Sequence, residues 1–446
     1  MTSTLAEPAA PQFSKIEQDA LYLKVTWRII PLLFCCYVMA YLDRINISFA
    51  QLQMKDSLGF SAAVYGLGAS IFFIGYLLFE VPSNLLLKRI GTRKTLLRIM
   101  FCWGIVSAGT MFVTTPMQFY VLRFLLGVFE AGFFPGIIYY LTLWYPPSRR
   151  AFVMAIFLTA TLFAGIIGGP LSGLIISGMD GLNGWAGWQW MFLLQGLPSS
   201  VLGIVAYLYL SDSPTMAPWL TAREKTIIDN DLAPERSASR GPDAGAQSAF
   251  KRLLTNPKVY ILSGAVFAIL AAAYSLSFWA PTLISKAGVK DILNIGLISA
   301  IPSICGAIAM VLIGRHSDKK QERRWHFSVC MMLAAAAIAG LGALSLGANS
   351  LWMLIILLCF ATVGVVSAVP VFWTIPPRYL APQDAAAGVA LINSLGHLGG
   401  VIGPAMVGFV LTSTGSTANA LFALAIIMVL GTILLLLGTR NMPSSA

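Results

Sequence analysis

The sequence predicts an all-α integral membrane protein, with twelve transmembrane helices arranged as two pseudo-symmetric six-helix bundles. Three observations carry that prediction. The 446 residues are 57% hydrophobic and 11% charged, with a mean hydropathy of +0.79. A soluble globular chain carries roughly 25% charged residues, so this one lacks the charge to coat a water-soluble core. Twelve apolar stretches are each long enough to cross a bilayer. The two halves repeat each other on either side of one long polar segment.

A spanning helix needs ~20 mostly apolar residues. The stretches fall at 25–49, 61–87, 96–114, 116–144, 151–178, 190–210, 258–285, 292–314, 325–347, 350–376, 384–412 and 416–439. Backbone polar groups cannot stay unpaired in lipid, and the short alternating segments of a membrane β-barrel are absent, so these are helices. Residues 1–24 are mixed polar, with Pro8 and Pro11, and lack the pattern of a cleavable signal peptide. The first apolar run is therefore expected to insert and stay.

Domain boundaries follow. Residues 1–24 form an N-terminal segment, 25–210 the first bundle and 258–439 the second. Between the bundles, 211–257 is a linker rich in Ser, Pro, Gly and charge, and 440–446 is a tail. With the N-terminus in the cytoplasm, only Lys55, Lys286 and Lys290 of the 29 Lys and Arg fall outside, and Arg44 and Arg123 fall within spans. Such a bias places both termini in the cytoplasm of a multi-pass inner-membrane protein.

Two alternative uses of this composition are disfavoured. The net charge of +11 sits in short runs between apolar blocks rather than on one basic face, which argues against nucleic acid as a partner. All six cysteines (35, 36, 102, 305, 330 and 359) lie in apolar stretches, without zinc or disulfide spacing, and read as small buried hydrophobes. His316, His326 and His397 show no ligand spacing. No nucleophile–base pair stands out, so neither a metal, a cofactor nor an enzyme activity is expected.

The internal repeat has specific carriers. Ala164-Gly165-Ile166-Ile167-Gly168 in helix 5 corresponds to Gly399-Gly400-Val401-Ile402-Gly403 in helix 11, each closely followed by a proline. The pair Pro146-Pro147 recurs as Pro376-Pro377, and the basic loop after helix 2 recurs after helix 8. Internal duplication with a site between the repeats is a transporter signature.

Charges at mid-bilayer cost at least ~2.5–3.5 kcal/mol on insertion scales, so they need partners or a task. Asp43, Arg44, Arg123 and Glu130 are the deep ones. Arg123 and Glu130 are seven residues apart and share a face of helix 4, while Asp43 and Arg44 diverge by ~100° around helix 1. Two arginines and two acids make a site that is neutral when both acids are ionised and doubly positive when both are protonated. It could bind an organic anion and protons together. A static salt-bridge lattice is the competing role.

Several residues are weaker candidates. Glu80, two turns before Lys88, suits a gate or helix packing better than substrate contact. Asn393 and His397 share a face of helix 11 and could touch substrate or bond between helices. Tyr76, Tyr274, Trp279 and Trp373 could form aromatic cavity walls or merely pack.

At this point the sequence resembles the major facilitator superfamily over essentially its whole length, which implies that superfamily's fold. The loop Gly314-Arg315-His316-Ser317-Asp318-Lys319-Lys320-Gln321-Glu322-Arg323-Arg324 resembles its cytoplasmic gate motif. The first-half copy, Leu87-Lys88-Arg89-Ile90-Gly91-Thr92-Arg93-Lys94, departs from it, with Lys88 where the motif has aspartate. The implied gate set is Arg89, Arg93, Arg315 and Asp318, to which the position of Glu80 before Lys88 adds Glu80.

More narrowly, the chain is similar to the anion:cation symporter family, closest to bacterial tartrate, phthalate and 4-hydroxyphenylacetate permeases. The carriers are Tyr41-Leu42-Asp43-Arg44-Ile45-Asn46, Phe79-Glu80-Val81-Pro82-Ser83-Asn84, and the run from Arg123 through Gly127, Glu130 and Gly132 to Pro135-Gly136. That resemblance implies Asp43 and Glu130 as proton carriers, Arg44 and Arg123 as carboxylate contacts, and Asn393 and Ser394 as further substrate contacts. The implied partners are a small organic anion and protons; in the lipid bilayer, nothing in the sequence demands more than a monomer.

One feature points elsewhere. Gly165-Ile166-Ile167-Gly168-Gly169-Pro170-Leu171-Ser172-Gly173 fits the helix 5 motif of proton–drug antiporters, so drug or metabolite efflux is the alternative. Small residues also simply let helices approach, and the copy near Pro404 favours that reading. A non-transporting nutrient receptor is a third reading.

Overall fold

The computed structural model describes residues 14–238, 252–347, 350–380 and 385–439. It contains twelve helices long and apolar enough to cross a membrane: α1 Lys15–Ser57, α2 Ala62–Leu87, α3 Thr92–Phe112, α4 Pro116–Trp144, α5 Pro147–Met179, α6 Gly187–Tyr209, α7 Pro257–Lys286, α8 Ile292–Lys320, α9 Arg324–Leu344, α10 Leu351–Trp373, α11 Ala387–Thr414 and α12 Thr417–Gly438. Each coincides with an expected stretch. Several are capped where they begin. Ser61, Thr115, Asn256, Asp291, Ser350 and Ser416 accept backbone N–H groups of the first turns of α2, α4, α7, α8, α10 and α12. The outer surface is apolar, with Leu78, Val81, Val201, Leu208, Ile308 and Leu312 all exposed, as lipid contact requires.

Two departures from the sequence reading occur at the end that carries the basic loops. First, α1 starts at Lys15, ten residues before the expected span. Second, the polar linker contains a helix, Ala222–Ala238. The two features explain each other: Arg223 donates to Glu17 at 2.6 Å, Lys24 to Glu224 at 2.8 Å and the Tyr22 hydroxyl to Asp231 at 2.8 Å. The Trp219 ring lies parallel to that of Trp144, 5.6 Å between centroids. The linker is thus tied to the first bundle. The cysteines also differ from expectation: Cys36 and Cys330 are buried, but Cys35 is exposed on the outer surface, because α1 turns one face to lipid. The expected tail 440–446, residues 1–13 of the N-terminal segment and 239–251 of the linker lie outside the described residues.

The halves meet through pseudo-symmetric pairs, α2 with α11 and α5 with α8. Glycine makes both approaches possible. A Cβ on Gly169 would stand 2.5 Å from the Gly296 carbonyl oxygen, and one on Gly66 would stand 2.7 Å from that of Pro404. The repeated glycine–proline stretches of α5 and α11 therefore serve equivalent helix crossings. Around them, at the end away from the basic loops, Tyr65 donates to the Phe278 carbonyl at 2.7 Å and Thr282 donates to Gln51 at 2.8 Å.

Candidate functional site

Three helices that bear the polar candidates are interrupted beside them. α1 breaks at Asn46, two residues after Arg44. α4 breaks at Ala131-Gly132, directly after Glu130, with Gly132 at φ +87°. A Cβ at Gly132 would stand 2.4 Å from Ser83 Oγ, so glycine is required there twice over. α11 breaks at His397, whose Nδ1 donates to the Asn393 carbonyl at 2.8 Å. Discontinuous helices of this kind, lining a cavity rather than facing lipid, are how membrane proteins build polar sites at depth.

Between the halves lies a cavity of about 180 Å³. Arg44 projects into it, its side chain 12% exposed, and forms a salt bridge with Glu130, which is 2% exposed. Arg44 Nη1 also donates to the Tyr274 hydroxyl of the second half at 3.2 Å. Among the described residues, Arg44 Nε and Glu130 Oε2 have no hydrogen-bond partner. An unsatisfied donor and an unsatisfied acceptor thus flank one charge-assisted pair, where low dielectric strengthens every such interaction.

The structure separates the deep quartet. Asp43 faces away from the cavity into the first bundle, 1% exposed. It accepts from Trp103 Nε1 at 3.0 Å and Ser107 Oγ at 2.7 Å on α3, and from Ser199 Oγ at 2.7 Å on α6. Arg123 is also 1% exposed and is absent from the cavity wall. Its Nε donates to the Gly68 carbonyl at 3.3 Å, and among the described residues Nη1 and Nη2 have no partner. The Phe72 ring lies between the two arginines, 5.2 Å from each guanidinium, a distance at which cation–π attraction operates.

Of the weaker candidates, Tyr76, Tyr274, Trp373, Asn393 and His397 all line the cavity, whereas Ser394 is exposed and does not. Trp279 packs edge-on against Tyr65 at the closed end. Glu80, expected at the gate, lines the cavity instead. The remaining gate residues stay within their own halves. Arg93 donates to the Tyr207 carbonyl at 2.8 and 2.6 Å, Asp318 pairs with Arg323 at 2.7 Å, and Arg89 and Arg315 are exposed. The side chain of Lys88 lies outside the described residues.

Sequence reading missed the rings of Tyr37, Phe72, Phe73, Phe134 and Phe372 on the cavity wall, and the aliphatic residues beside them. An aromatic residue on a spanning helix gives no signal of which face it occupies.

Comparison with known proteins places this geometry. A family profile described as the Major Facilitator Superfamily matches residues 33–404 and 295–446. A Pseudomonas putida chain named for metabolite transport, NicT, is 45% identical, covering 94% of both chains. An Agrobacterium vitis chain named for tartrate transport is 44% identical, over 95% of this chain and 92% of that one. An Acinetobacter baumannii quinolone resistance transporter is 40% identical, over 92% and 93%. The crystal structure of a bacterial homolog of the human lysosomal transporter Spinster, inward-facing and unoccupied, superimposes with a TM-score of 0.77. It covers 97% of this chain and 100% of that one at 16% identity, and so speaks to the fold alone.

Proposed function

The chain belongs to the major facilitator superfamily, and we propose that it performs proton-coupled uptake of a small organic carboxylate by alternating access. It is a transporter rather than an enzyme, as its family and relatives are. The observation that carries the proposal is the salt bridge from Arg44, which lines the cavity, to the buried Glu130. A ligand carboxylate and the Glu130 carboxylate compete for one guanidinium fork. An anion bound to Arg44 favours protonated Glu130, and departure of the anion lets Glu130 re-ionise and reclaim the arginine. By linkage, proton and anion then raise each other's affinity, which is the thermodynamic requirement of symport. Asp43, behind Arg44 in a cage of neutral donors, is the second acid of the coupling set. Arg123, two of whose nitrogens have no partner among the described residues, is a second buried cation of the first bundle.

The halves are joined at the end away from the basic loops. With those loops cytoplasmic by charge bias, the cavity faces inward and both termini are cytoplasmic. Such an orientation suits a monomer in the inner membrane, with the two bundles rocking about the site. The relative named for tartrate transport supports an organic acid as cargo.

One observation favours export instead: a relative of 40% identity named for quinolone resistance. The arginine on the cavity wall and the architectural use of the α5 glycines weigh toward anion uptake. Purified protein in proteoliposomes under an inward proton gradient tests the choice. Accumulation of an organic acid that collapses with a protonophore supports symport. Extrusion of a cationic dye without acid uptake would reverse the reading.

A further inference from the structure

The cavity's composition narrows the cargo, and this step rests on the proposed uptake of a carboxylate. Half of its sixteen described lining residues carry Phe, Tyr or Trp rings, and four more are Val, Ile or Leu. Arg44 is the one cation among the described lining residues, and it already holds Glu130. The other charged lining residue is Glu80, an acid. It lies one turn from Tyr76 on α2, while the Arg44 guanidinium sits 5.8 Å from the Tyr76 ring. One wall of the cavity thus runs from a cation, across an aromatic ring, to an acid.

From this the geometry points to a single-ring aromatic monocarboxylate as the ligand class, with its carboxylate on Arg44 and its ring among Tyr76, Phe73, Trp373 and His397. Size agrees. An apolar cavity of about 150 Å³ holds one benzene molecule, so about 180 Å³ has room for one ring and a carboxylate. Charge agrees as well. A dicarboxylate would bring a second negative charge to a wall whose remaining charged group is Glu80, and a buried charge without a partner is strongly disfavoured. Ring geometry is the third argument. Tyr76 of the first half and His397 of the second lie within 11° of parallel, centroids 6.2 Å apart. A planar ligand in contact with both rings would bridge the two bundles. Glu80 at the far end accepts a hydrogen bond from a phenol or ring N–H, which favours a ring bearing such a donor opposite its carboxylate.

The test is calorimetric titration of the purified full chain in nanodiscs with 4-hydroxybenzoate, benzoate, cyclohexanecarboxylate, phthalate and tartrate, alongside proton-driven uptake of each. The expected result is that 4-hydroxybenzoate and benzoate bind about tenfold or more tightly than cyclohexanecarboxylate, which keeps the charge and loses the ring face. They should exceed phthalate and tartrate by more. Trp373→Leu should erase the preference over cyclohexanecarboxylate, and Trp373→Phe should retain most of it. Equal affinity for benzoate and cyclohexanecarboxylate, tighter binding of tartrate or phthalate, or binding of none of the five would overturn the aromatic assignment. The two readings fail separately. Proton-driven tartrate uptake without benzoate binding sinks only the ligand class, whereas benzoate binding without proton-driven uptake of any acid sinks only the symport.

Discussion

Arg44 of α1 and Tyr274 of α7 are joined across the two halves, guanidinium to hydroxyl, at 3.2 Å. The same guanidinium is held by Glu130 of its own half, so in the proposed mechanism one side chain would sense ligand charge, proton occupancy and the separation of the bundles. Replacing it separates charge from geometry. Arg44→Lys keeps the cation but loses the planar fork, and should weaken carboxylate binding by at least about tenfold. Titration calorimetry reads this directly, and an unchanged affinity would remove Arg44 from the site.

Asp43 makes a different prediction, because it faces three donors and no cavity. Asp43→Asn keeps an acceptor oxygen for Trp103, Ser107 and Ser199 and should hold the cage together. Asp43→Ala strands all three, and each unsatisfied buried donor costs about 1–3 kcal/mol. A thermal melt should therefore rank Ala well below Asn. Equal melting temperatures would mean that the cage contributes nothing.

The paired glycines predict a conformational effect. Gly169→Val would press Cβ against the Gly296 carbonyl, from which it would stand 2.5 Å, and so should open the end where α5 meets α8. A cysteine placed at Thr282, next to Gln51 at that end, should then react with a polar maleimide at least about fivefold faster. Gly178→Ala has open space around its new methyl and serves as the control that should not change the rate.

Outside the membrane, the loop between α8 and α9 carries a pH signature. Partial burial pushes the Glu322 carboxyl up, but the backbone N–H groups of Trp325 and His326, at 2.6 and 3.1 Å, and the His326 ring outweigh it and hold it below the usual value. A lowered folded-state pKa adds stability above the unfolded value and loses it as pH falls through the folded one. Melting temperature should therefore drop below about pH 4, and less steeply in Glu322→Gln. Parallel curves would show that this contact is not linked to folding.

The spans were legible because each is about the length of a bilayer crossing or longer, and several start at capping residues such as Ser61, Thr115 and Ser350. The early start of α1 was not, since Lys15–Arg28 is amphipathic and gains its partners, Glu224, Asp231 and Arg223, some 200 residues later. At the site, the ~100° divergence of Asp43 and Arg44 followed from helix geometry. Which of the two faces the cavity depends on how α1 is rotated against α3, α6 and α7, and no local pattern encodes that rotation. Phe72 and Phe73 were illegible for the same reason, and Glu80 read as a gate residue because its depth relative to the cavity floor is a tertiary quantity.

The proposed exchange of Arg44 between Glu130 and a ligand is tested most directly by Glu130→Gln in proteoliposomes, with proton-driven uptake and counterflow of a bound anion measured side by side. Glutamine cannot ionise, so proton-driven accumulation should vanish while exchange of internal for external anion persists, because exchange needs no net release of a proton. Full gradient-driven accumulation by that variant would contradict the coupling role of Glu130.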